Sequence, residues 1–96
     1  MMETKYILIQ DYCSISNIEP DFIHALAAEN MIILKTISGE QYLEEDQIED
    51  LEQYIRLHYD MEINIEGIDA IRHLLSRIKK MQIEIRTLHE RLKLYE

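Results

Sequence analysis

Eight apolar residues, Ile71, Leu74, Ile78, Met81, Ile85, Leu88, Leu92 and Tyr95, recur in alternating steps of three and four without a miss. That spacing puts all eight on one stripe of a helix, the seam of a heptad pattern. Asn64 stands before "IEGIDAI" as a natural N-cap, and neither Pro nor Gly follows Gly67, so one long helix is expected to run from there to the last residues. Each large apolar residue on the seam gains roughly 1.5–3 kcal/mol if buried, whereas an isolated helix of this length is marginal in water. The seam therefore needs a partner surface, either a second copy of the helix or the protein's own core.

With Ile71 at heptad position a, Arg77, Glu84 and Arg91 fall at g, and Gln82, His89 and Glu96 at e. A parallel pair would set Glu84 against His89 and Arg91 against Glu96. An antiparallel pair would set Arg77 against Arg91 and Glu84 against itself at the symmetric centre. Over about three and a half heptads, these charges leave the orientation open.

The preceding segments are shorter. "KYILIQ" reads as an edge strand leading into a brief helix through Asp11 and Cys13, which "SISN" ends. From Glu19, Pro20 suits a first helical turn and Asp21 its positive end, Phe22, Leu26 and Glu29 follow with Ile23 on an i, i+3, i+4 pattern, and Asn30 is the stop. "MIILKTISGEQYL" offers two β-rich runs around Ser38–Gly39, a small hairpin or wing. "EEDQIEDLEQYIRLHYD" then carries Ile48, Leu51, Tyr54 and Ile55 on one helical face, and Asp46 with Glu49 matches a capping-box variant. The expected architecture is mainly α: a winged helix-turn-helix with a small β-hairpin wing and a long C-terminal heptad helix. Residues 1–62 form the acidic module and 63–96 the long helix, within a single structural domain.

Ninety-six residues suffice for one small domain with a modest core. The net charge of −9 is unevenly placed. Residues 1–66 hold three basic side chains (Lys5, Lys35, Arg56) against fifteen acidic ones, a balance of −12, while residues 67–96 hold seven against four, +3. Such asymmetry points to different partners for the two parts. Cys13, the single cysteine, lies near Ile9, Tyr12 and Ile15 and reads as a small core residue, with no flanking cation to make it reactive. No apolar run is long enough to span a bilayer, and "MMETKYILIQ" lacks the features of a secretory signal, so a reducing, cytoplasmic setting is expected.

"IQDYC" at 9–13, "NMI" at 30–32 and above all "IRLHYDMEINIEGIDAIRHLL" at 55–75 resemble the CbpM-type chaperone modulators of the MerR-like winged-helix superfamily. The resemblance covers essentially the whole chain. It departs at Glu62, where the family pattern leads one to expect a glycine ending the preceding helix. The resemblance implies a non-enzymatic, cytoplasmic regulator that binds the J-domain of a DnaJ/CbpA-like co-chaperone and inhibits it. DNA-binding members of the superfamily dimerise through the long C-terminal helix, which implies a homodimer here.

The residues bear on that expectation independently. Affinity for DNA comes mainly from Lys and Arg neutralising phosphates, and bases are most often read by the same residues. From Asp11 to Leu34 the chain has neither, and Glu19, Asp21 and Glu29 would repel phosphate from the presumptive recognition helix. A basic partner surface, such as the J-domain is implied to offer, fits those charges. Asp11, Glu19, Asp21 and Glu29 are therefore the expected acidic contact, with Phe22 or His24 as an exposed anchor. Glu44, Glu45, Asp46, Glu49, Asp50 and Glu52 form an alternative acidic surface. His24, His58, His73 and His89 show no metal-site spacing, and no nucleophile, phosphate-loop or cofactor motif appears, so neither a metal, a cofactor nor an enzyme activity is expected. Two other readings stand beside this one: a MerR-like DNA-binding transcriptional regulator, and a coiled-coil adaptor whose seam docks a foreign helix.

Overall fold

A computed structural model of the chain describes residues 5–96. Residues 1–4, the beginning of the stretch read as lacking a secretory signal, lie outside it. Two compact units follow one another, the first ending at Ile65 and the second spanning Glu66–Glu96.

In the first unit, β1 (Tyr6–Leu8) runs directly into α1 (Ile9–Ser16). Asn17, in the left-handed region at φ 56°, stops α1, and the Ile18 N–H donates back to the Cys13 carbonyl at 3.0 Å. α2 (Pro20–Ala28) starts with proline at its first position and ends in the same way. Asn30 takes φ 60°, while the Asn30 and Met31 N–H groups each donate at 3.0 Å, to the Ala27 and Leu26 carbonyls. Asparagine tolerates this conformation better than other non-glycine residues, so both stops are local sequence effects.

β2 (Leu34–Ile37) and β3 (Glu40–Glu44) form the wing around a two-residue turn with positive φ at both Ser38 (52°) and Gly39 (81°). Those signs define the turn that matches strand twist. The wing is larger than the expected hairpin, because β1 also pairs antiparallel with β3 in the order β1-β3-β2, with Ile7 opposite Leu43. Ile9, Cys13, Ile18, Phe22, Ile23, Leu26, Met31, Ile32, Leu43, Leu51 and Tyr54 are buried. Ile15, in contrast, is 86% exposed and does not join Cys13.

α3 (Ile48–Ile55) is preceded by a 3-10 turn at Glu45–Gln47. That turn places Gln47 at the N-cap position with no side-chain cap bond, so the expected capping box of Asp46 and Glu49 does not form. Glu49 and Asp50 still occupy the first turn of α3, where the helix dipole favours acids. After Ile55 the helix widens into a π turn, Arg56–Asp60. Glu62 closes it at φ 56°, and the Ile63 N–H donates to the Leu57 carbonyl at 3.0 Å, one residue wider than the closures of α1 and α2. His58 Nδ1 donates to the Ile63 carbonyl at 2.9 Å and so braces this turn.

α4 spans Ile65–Lys93, 29 residues or about 43 Å at helical rise, and from Glu66 onward it makes up most of the second unit. Asn64, read from the sequence as its N-cap, immediately precedes it. Within its first turns Asp69 pairs with Arg72 at 2.7 Å, and His73 Nδ1 donates to the Asp69 carbonyl at 2.8 Å. Ile68 is fully buried and Ile71 half-buried, but the other seven seam residues are between 49% and 89% exposed. From Leu74 onward the seam residues are exposed. Among the described residues, no helix is long and apolar enough to cross a membrane.

Candidate functional site

α2 divides its side chains cleanly. Phe22, Ile23 and Leu26 are buried, while Asp21, His24, Ala28 and Glu29 are exposed, so one face packs and the opposite face is available. Phe22 is thus not the exposed anchor expected of it. Its ring stacks on His58 with centroids 4.4 Å apart and meets the edge of Tyr59 at 5.4 Å. The π turn brings both rings to α2, and the Glu19 N–H donates to the Tyr59 hydroxyl at 3.4 Å, fixing the start of the helix. Phe22 is buried and His24 is exposed, so of the two anchor candidates only His24 lies on the open face.

His24 reaches the wing. Its Nε2 donates to Gln41 Oε1 at 2.6 Å, a bond that assigns the proton to Nε2 because the amide oxygen only accepts. The bridge divides an open groove along α2 into two hollows. One, of about 580 Å³, lies between Pro20, His24, Thr36, Glu40 and Gln41 and the start of α1 at Ile9 and Gln10. The other, of about 440 Å³, lies between His24, Ala27, Ala28, Ile32, Ile33 and Leu34. Neither lining contains a lysine or an arginine.

The wing's one cation is turned elsewhere. Lys35 Nζ donates to the Tyr6 hydroxyl at 3.2 Å and sits 5.2 Å from the centre of that ring, held across the sheet by its register opposite Tyr42. Glu40 lines the groove and Asp21 and Glu29 are exposed at the two ends of α2, so acids outnumber the single lysine of the wing, a balance that disfavours phosphate and favours cations. Asp11 is exposed in the first turn of α1, but that helix contributes Gln10, not Asp11, to the groove lining.

In the second acidic patch, Glu45, Asp46, Glu49, Asp50 and Glu52 are exposed and Glu44 is half-buried. The Gln47 side chain links this patch to the segment after α2. Its Oε1 accepts from the Ile33 N–H at 2.7 Å, and its Nε2 donates to the Ile33 carbonyl at 3.0 Å. Gln41, Glu40, Ile33 and Gln47 are site residues the sequence reading missed. The Ser38–Gly39 turn was the available signal for the first two, since it sets Thr36 opposite Gln41 and Ile37 opposite Glu40.

Burial pushes the Cys13 thiol up from its ordinary value, which agrees with its reading as an unreactive core residue. The Tyr12 hydroxyl is also raised, chiefly by burial and then by the Glu52 carboxylate, with a hydrogen bond from Ser16 opposing. Among the described residues, no group of three or more His, Cys, Asp and Glu side chains is placed to hold a metal ion.

Compared with known proteins, residues 7–90 match the family model described as MerR HTH family regulatory protein. No curated protein and no solved structure gives a significant match.

Proposed function

Because the chain belongs to the MerR HTH family of regulatory proteins, we propose that it acts as a non-enzymatic chaperone modulator that binds the J-domain of a DnaJ/CbpA-like co-chaperone in the cytoplasm. The observation that carries this reading is the charge of the exposed face of α2. The helix that reads DNA in a helix-turn-helix here exposes Asp21, His24, Ala28 and Glu29, and Lys35 of the wing is engaged with Tyr6. A surface of that sign fits a basic protein partner, for which charge speeds encounter and an uncharged centre supplies the grip. The groove beside His24 and Gln41 offers such a centre. The mechanism is competitive masking: while the module covers the basic surface of the J-domain, the co-chaperone cannot stimulate its DnaK-type partner. The exposed seam of α4 supports a homodimer as the working form.

Calorimetric titration of the purified J-domain into the protein, alongside a gel shift against the promoter region of its own gene, tests the reading. The proposal expects saturable J-domain binding that weakens with salt and no shift of the DNA. A DNA shift without J-domain binding would return the protein to the transcriptional regulators.

A further inference from the structure

The J-domain reading leaves open which acidic patch makes contact, and the Gln47–Ile33 clamp bears on that choice. We infer that the hollow between the end of α2 and β2 is a socket for one large aliphatic side chain carried on a cationic amphipathic helix, with acids of both patches around it as one surface. The inference rests on the J-domain reading for the identity of the protein that supplies the helix.

Ile33 is the first observation. Its side chain is 74% exposed, and single exposed apolar residues are common on protein surfaces. Its main chain, however, is held at both N–H and carbonyl by Gln47, at 2.7 and 3.0 Å. An apolar wall fixed in this way needs no ordering when a partner arrives.

Shape is the second. Ile32, Ile33 and Leu34 wall a hollow of about 440 Å³, and Ala27 and Ala28 present only methyl groups to it, with His24, Asn30 and Gln41 as its polar lining. The missing bulk leaves room for a side chain from outside.

Charge selects the occupant. The clamp ties the 3-10 turn that carries Glu45 and Asp46 to the segment following Glu29, so members of the two patches border one region. The Glu45 N–H also donates to the Lys5 carbonyl at 2.9 Å, which fixes the turn. The lining itself holds neither an acid nor a lysine or arginine, so the sign of the partner is set by the exposed acids at its border, Glu29, Glu45 and Asp46. A helix with one apolar face and flanking cations satisfies both features.

The test is titration of the full-length protein with the purified J-domain, comparing wild type with Ile33→Ser and Ala28→Arg, both at exposed positions, and with circular dichroism melts as the folding control. Wild type binds, and each substitution weakens affinity by about tenfold or more, as expected for a central anchor pocket, with unchanged melts. If wild type binds and both variants bind equally well, the socket is overturned while the J-domain reading stands. If wild type does not bind the J-domain at all, that reading falls and this occupant with it. If the variants instead change the sedimentation of the protein alone, the occupant is the cationic α4 of a second copy and the inference is overturned.

Discussion

Among the described residues, Glu62 and Ser38 hold positive φ without the advantage that asparagine brings to Asn17 and Asn30. The left-handed conformation costs a residue with a β-carbon about 1–2 kcal/mol, part of which a glycine returns through its freer unfolded chain. Glu62→Gly is therefore expected to stabilise the protein by about 0.5–1 kcal/mol in urea denaturation. The family pattern already asked for glycine at this position, so the turn was legible even though the residue departs from the pattern. Cys13 and Tyr12 carry a second residue-scale expectation. Both are acids whose folded values lie above the unfolded ones, mainly through burial. Their neutral forms contribute stability that is fully present at lower pH and is lost as pH rises through the thiol and phenol range, from about pH 8.5 upward. Melts followed across that range should fall progressively, and Cys13 should react slowly with a thiol reagent at neutral pH until the protein is denatured.

At the scale of elements, the strongest periodicities were the easiest to read. The three-four spacing from Ile71 to Tyr95 gives α4, and Pro20 with Asn30 brackets α2. The pairing of β1 with β3 left no local signal, because Ile7 and Leu43 are far apart in the chain and only the closed core brings them together. Phe22 was misplaced for the same kind of reason: it lies beside exposed Asp21 in sequence, but the π turn puts His58 and Tyr59 against it. The groove depends on a side-chain bridge, His24 to Gln41, that no periodicity encodes. The exposed acids of α2 were legible, and their role is testable as a group. Reversing two of them in Glu19→Lys/Asp21→Lys is expected to weaken J-domain binding several-fold and flatten its salt dependence, read by the same titration at two ionic strengths. Unchanged affinity would remove these two residues from the contact surface.

For the whole molecule, the exposed seam and the uneven charge stand side by side. Residues 1–66 present the anionic surface, and α4 carries a stripe of large apolar residues that water disfavours. Association of two copies through α4 would cover that stripe and display two acidic modules. Sedimentation of Ile85→Lys/Leu88→Lys is expected to show a monomer where the wild type shows a dimer, since each lysine would place an unpaired charge in the seam. A wild-type monomer that dimerises only with a foreign helix would favour the adaptor reading instead. The central claim is that binding of this protein silences a J-domain. Its most direct measurement is the ATPase rate of the DnaK-type chaperone, stimulated by the co-chaperone, as this protein is added. A saturable fall to the unstimulated rate is expected at the concentrations that fill the J-domain in titration. Full stimulation with the J-domain demonstrably occupied would contradict it.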